Sequence, residues 1–198
     1  MNNPAQAAAP LTFDIVPKGV TVEVKDKAGQ TFSKLYVGAG WDMAGSASVD
    51  LDLVGACLVN GKLTAQTRLV YFGDKTEPGV TLSADNTTGA GDGDDESMVI
   101  DLDKVEAEIT SIAIGIIAYA GADISTAKNV HFRVCNGSTT SDPQVFDVPM
   151  NQATAGDTVL HAANLVRGAG GWSIENVSSF YQKGNGTAAV QGFAGLFA

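Results

Sequence analysis

Basic residues are scarce in this chain: 12 Lys and Arg stand against 22 Asp and Glu, a net charge of −10. Binding nucleic-acid phosphates needs a stripe of Lys and Arg, so the composition argues against a nucleic-acid partner. Cysteine is scarcer still. Cys57 and Cys135 each lie in an apolar stretch and form no C-x-x-C spacing. Two buried free thiols in a reducing compartment are expected ahead of a disulfide. Only two histidines occur, His131 and His161, each in an apolar segment without a nucleophile at motif spacing; both are expected to be structural. Aromatic residues make up 7%, few for the aromatic-walled cleft that accompanies a hydrolytic carboxylate pair, so no catalytic residue is assigned and an enzyme is not expected. Long apolar runs are absent as well. The most apolar stretch, 109–122, is too short to cross a bilayer and reads as a buried central strand, and 1–10 lacks the basic start of a secretory signal. A cytoplasmic protein without membrane insertion is expected.

What the chain does contain is glycine, alternation and clustered acid. Period-two patterns recur at 21–24, 97–102 and 130–135, with further strand candidates at 49–59, 67–72, 144–148, 171–177 and 188–197. Asn60-Gly61, Pro78-Gly79, Asn136-Gly137 and Asp142-Pro143 punctuate them as turns. Ten or so short strands and 23 glycines predict an all-β protein, an antiparallel β-sandwich with one or two short helices. The helix expected first is 158–167, with Asp157 as its N-cap and Gly168 beyond its end. Residues 11–198 are read as one domain and 1–10 as a flexible or assembly-docked tail.

Asp85 to Glu96 reads Asp-Asn-Thr-Thr-Gly-Ala-Gly-Asp-Gly-Asp-Asp-Glu, with no Lys or Arg nearby in sequence. Carboxylates this close repel by ~1 kcal/mol per pair at 4 Å in water, and more where solvent is excluded. Glycines let the backbone curl so that carbonyls and carboxylates can converge, and a hard divalent cation such as calcium makes such a loop favourable. The loop has EF-hand length but not its pattern: Gly89 falls where an oxygen side chain is required, Ala90 where the glycine is required, and strands flank it. An acid at Asp92 and the lack of a following Lys-Ser/Thr exclude a phosphate loop. Upstream, period two places Asp50 and Asp52 on one face of a strand and Val49, Leu51 and Leu53 on the other. They are either exposed edge acids or, if that strand borders the loop, partners in a shared calcium site.

Several stretches in order then resemble the tellurium-resistance (TerD) family of calcium-binding stress proteins. They are Pro17-Lys18-Gly19-Val20-Thr21-Val22, Val37-Gly38-Ala39-Gly40-Trp41-Asp42, Val49-Asp50-Leu51-Asp52, Tyr71-Phe72 and the whole of Asp85 to Glu96. The resemblance implies a β-sandwich, calcium as cofactor, and a role in resistance to tellurite and other stresses. By motif position it implies Asp42, Asp50, Asp52, Asp85, Asp92, Asp94, Asp95 and Glu96 as metal ligands. Gly73-Asp74 departs from the two asparagines usual after the aromatic pair. An alternative expectation is a structural component of a larger assembly such as a phage virion, or a homo-oligomer, with residues 1–10 and the C-terminal segment lying on neighbouring chains.

Overall fold

The computed structural model describes residues 16–25, 29–42, 49–89, 93–121, 123–149 and 152–198. In chain order the strands are β1 (Thr21–Glu23), β2 (Lys34–Asp42), β3 (Asp50–Leu58), β4 (Leu69–Val70), β5 (Thr76–Glu77), β6 (Val80–Leu82), β7 (Glu96–Asp101), β8 (Ser111–Ala120), β9 (Lys128–Asn136), β10 (Gln144–Pro149), β11 (Val159–Gly168) and β12 (Gly171–Tyr181). A helix, α1 (Thr187–Ala194), and a 3-10 turn (Gly195–Phe197) follow. Two antiparallel six-stranded sheets result, with orders β1-β12-β11-β8-β3-β4 and β10-β9-β2-β7-β6-β5. The expected antiparallel sandwich is the fold observed.

Alternation fills the space between the sheets. Leu51 and Leu53 of β3, Ile112 and Ile114 of β8, Leu35 and Val37 of β2, Met98 and Ile100 of β7 and Phe132 of β9 form one continuous core. The opposite parity of β3 and β8 (Val54, Ala56, Ala113 and Ile117) builds a second apolar layer against Ala189, Val190 and Phe193 of α1. Strands β3 and β8 are therefore covered on both faces, which is why 109–122 shows no polar alternation. Cys57 and Cys135 are buried and free.

Two local expectations are overturned. Residues 158–167 form strand β11, not a helix. Inserted between β8 and β12, the segment is apolar on both faces, and a short run of that kind has no period that separates strand from helix. Asp157 accepts hydrogen bonds from the Thr154 N–H (2.7 Å) and hydroxyl (2.8 Å), closing a turn instead of capping a helix. Conversely, 188–197 is helical. Its buried residues Ala189, Val190, Phe193 and Ala194 recur at helical spacing, a pattern present in the sequence but outweighed by its glycines. The C-terminal segment packs on the outer face of its own first sheet. The tail expectation for 1–10 falls outside the described residues.

Candidate metal centre

Strand β3 is paired with β8 along its whole length, from Asp50 to Leu58, but with β4 only at Gly55 and Ala56. Its first half thus has a strand on one side only. On the open side the Leu53 N–H donates to Glu96 Oε2 (2.7 Å), a carboxylate from the other sheet in place of a ladder carbonyl. The Asn86 N–H reaches Glu96 Oε1 at 3.4 Å. Asp85, in the loop after β6, completes the end of the sandwich. Asp50, Asp52 and Asp85 each offer a carboxylate oxygen, and these oxygens all lie within 4.8 Å of one another.

Asp50 and Asp52 are 8% and 2% exposed, so the exposed-edge expectation for them does not hold. Asp50 Oδ1 and Asp52 Oδ2 are buried with no hydrogen-bond partner. Leaving buried carboxylate oxygens without donors is costly, and the cost is met by protonation or by a cation. Burial, then the neighbouring Asp50 and Asp85 charges, push the Asp52 carboxyl up to about 7. Burial likewise lifts Glu96 to about 8, with Asp52 and Asp85 adding to it and the Leu53 N–H acting against it. Asp50 is raised by burial and by Asp85. The donor set is oxygen alone, without imidazole or thiolate, which suits calcium or magnesium and not a softer transition metal. The residues present fit a hard divalent cation.

The remaining acids are held differently. Asp95 Oδ2 accepts from the Trp41 N–H (2.8 Å) and its Oδ1 from Asn86 Nδ2 (2.9 Å). Asn86 Oδ1 in turn accepts from the backbone N–H groups of Thr88 (3.1 Å) and Gly89 (3.2 Å), folding the start of the loop into a compact turn. Gly89 has φ +57°, and a Cβ there would collide with the Trp41 indole. Trp41 Nε1 donates to the Val49 carbonyl (2.9 Å), so one buried indole lies between Gly89 of the loop and Val49 just before β3. Asp42 Oδ2, at the exposed end of β2, accepts from Asn129 Nδ2 (2.6 Å).

Asp94 turns to the outer face of the second sheet. Its side chain is 1% exposed. Oδ1 accepts from His131 Nε2 (2.9 Å) and Arg133 Nε (3.0 Å), and Oδ2 from Arg133 Nη2 (2.8 Å), the Tyr36 hydroxyl (2.9 Å) and the Thr140 hydroxyl (3.2 Å). Burial would raise this carboxyl, but the donors outweigh it and hold it well below the usual carboxylate range. The acid run therefore does not converge on one point. The structure brings Asp50, Asp52 and Asp85 together beside Glu96, places Asp95 on the Trp41 amide, and sends Asp94 and Asp42 elsewhere. Asp92 lies outside the described residues. Sequence reasoning missed Tyr36, His131, Arg133 and Thr140. The signal was present for two of them: His131 and Arg133 stand at period two on the polar face of β9, a basic pair in a chain with few bases. Among the described residues, no helix is long and apolar enough to cross a membrane.

Two antiparallel sheets linked at one end through the Leu53–Glu96 hydrogen bond, with an oxygen-only cluster at that end of β3, define a class of acid-looped β-sandwich proteins. Comparison with known proteins agrees on which class member type this is. The TerD domain family model matches residues 15–190, and the chain belongs to that family. It is 33% identical over 180 residues to stress response protein SCP2 of Bacillus subtilis (strain 168), covering 81% of this chain and 88% of that protein. Tellurium resistance protein TerD of Serratia marcescens is 27% identical over 183 residues, covering 88% of this chain and 94% of that protein. Among solved structures, a homologue of telluride resistance protein TerD from Streptomyces coelicolor A3(2) superposes with a TM-score of 0.66 at 20% identity, over 81% of this chain and 98% of that one. That likeness speaks for the fold alone.

Proposed function

We propose that this protein is a calcium-binding, non-enzymatic member of the tellurite- and stress-resistance proteins, acting in the cytoplasm. The observation that carries the reading is the pair of buried, unpartnered oxygens, Asp50 Oδ1 and Asp52 Oδ2, on two residues that group with Asp85 and carry their charge close enough to lift Glu96. Calcium would supply there the positive charge that neutralises these carboxylates; Asp50, Asp52, Asp85 and Glu96 would hold it. Glu96 of β7 is bonded to the Leu53 N–H of β3 beside the cluster, so neutralising the carboxylates there would hold the two sheets together at their loop end. The names of the relatives supply the physiological setting. Two buried free thiols fit a reducing compartment.

A cation that binds only the folded state stabilises it by RT ln(1 + [calcium]/Kd), about 2.7 kcal/mol at a hundredfold excess over Kd. Thermal unfolding of the full chain in calcium and in chelator is the test. A higher midpoint in calcium, abolished in Asp52→Asn, is the expected result; coincident midpoints would overturn the reading. Magnesium should stabilise less, because it demands a tight octahedron and keeps its waters.

A further inference from the structure

The Gly93–Asp95 segment crosses the outer face of β2 where that strand has no side chains. A Cβ at Gly38 would collide with the Asp94 carboxylate, and one at Gly40 with the Gly93 carbonyl and the His131 ring. The backbone follows: the Asp95 N–H donates to the Ala39 carbonyl (2.8 Å). Onto this glycine floor β9 delivers a bidentate guanidinium from Arg133 and an imidazole from His131, while β2 delivers the Tyr36 hydroxyl. Immediately beyond the clasped residue, Asp95 accepts from the Trp41 amide and Glu96 from the Leu53 amide on β3, the strand that carries Asp50 and Asp52.

We propose that Arg133, with His131 and Tyr36, is a positioning residue for the metal centre: it clasps Asp94 as an anchor and so fixes Asp95 and Glu96 in place before any cation arrives. Asp94 is then not a ligand. A bidentate Arg–carboxylate pair sets orientation as well as distance, which a point charge does not. Pinning one end of an acidic loop ahead of binding lowers the ordering cost that the cation must meet. The affinity arm of the test rests on the calcium reading above; the structural arm does not.

The experiment compares wild type, Arg133→Ala, Arg133→Lys, Asp94→Asn and the Arg133→Ala/Asp94→Asn double variant of the full chain, with folding checked by circular dichroism. Calcium titration calorimetry reads affinity and stoichiometry. Amide hydrogen exchange at Asp95, in chelator, reads the anchor itself. Removing a group that orients metal ligands typically weakens the metal ten- to a hundredfold. The expected result is such a loss in Arg133→Ala and in Asp94→Asn, unchanged stoichiometry, no further loss in the double variant, and faster Asp95 exchange in both single variants. Arg133→Lys should recover only part of the affinity. If Asp94 is instead a ligand, Asp94→Asn alone weakens calcium and Arg133→Ala binds like wild type, which overturns the proposal. If wild type binds no calcium, the functional reading fails by itself; faster Asp95 exchange in Arg133→Ala then still supports the anchor, and wild-type exchange rates overturn it.

Discussion

Asp94 and Glu96 stand two residues apart, and each side chain is about 1% exposed, yet their surroundings drive them in opposite directions. Asp94 meets an Arg, a His and two hydroxyls and stays ionised far below the ordinary carboxylate range. Glu96 meets one strong N–H donor and two further carboxylates and is lifted to about 8. Both are shut off from solvent, and burial alone would raise both; the partners decide the charge. The Asp94 side is electrostatically complete within the protein, whereas the Glu96 side keeps carboxylates without compensating donors, which in the proposed reading a cation completes.

The contrast breaks most visibly at Asp94. Asp94→Ala leaves Arg133 without its carboxylate, and unfolding in denaturant should show a loss of about 3 kcal/mol, toward the lower end of the range for stranding a buried charge because Arg133 is partly exposed. The same truncation logic has the opposite outcome across the loop. Asp52→Asn removes a buried charge that has no donor on Oδ2, so in chelator the midpoint should be unchanged or higher. In calcium it should fall by the whole cation contribution, about 2.7 kcal/mol at a hundredfold excess over Kd.

Gly38→Ala comes next. Its methyl enters the space of the Asp94 carboxylate, and a loss of roughly 1–3 kcal/mol is expected in either condition, because overpacking of a well-filled site does not depend on the metal. Titration sharpens the comparison further. Asp52 and Glu96 are raised in the folded state, so between about pH 5 and 8 the metal-free fold holds protons that the unfolded chain has released. Stability in chelator should therefore fall as the pH rises through about 7 and 8. Saturating calcium, which binds the deprotonated carboxylates, should remove that decline. Asp94 contributes with the reverse sign: its stabilisation is full at neutral pH and is lost only as the pH drops below the ordinary carboxylate range. Denaturation midpoints at successive pH values, with and without calcium, check both limbs. The smallest effect belongs to Asp42→Asn, exposed and bonded to Asn129, where neither calcium affinity nor midpoint should move detectably.

Much of this arrangement was legible beforehand. Strand alternation gave the sandwich, and the same parity put Asp50 and Asp52 on one face of β3. What composition could not reveal is how a run of consecutive acids divides. Only from Glu96 onward does the chain enter a strand and project side chains by rule; Asp94 and Asp95 sit in a loop, where direction comes from whichever donors the fold brings near. Those donors come from Arg133 and Trp41, distant in sequence, so a charge count along the chain found no base where the folded molecule has one. The exchange of helix and strand at 158–167 and 188–197 has a related cause. A strand buried on both faces loses its alternation, and a short glycine-containing helix hides its own.

The strand order also orders the assembly in time. In the first sheet, β3, β8, β11 and β12 lie side by side in the sequence in which they are synthesised, and β1 pairs only with β12, Thr21 opposite Glu175. Growth outward from the acidic end can proceed as the chain lengthens. Among the described residues, the first strand made is thus the last to find its neighbour, and that closing step spans most of the chain. Long-range pairing of this kind is slow and leaves an unpaired edge exposed while it waits. For this protein, the vulnerable interval in folding is the wait of β1 for β12, across the described sheet from the strand that carries Asp50 and Asp52.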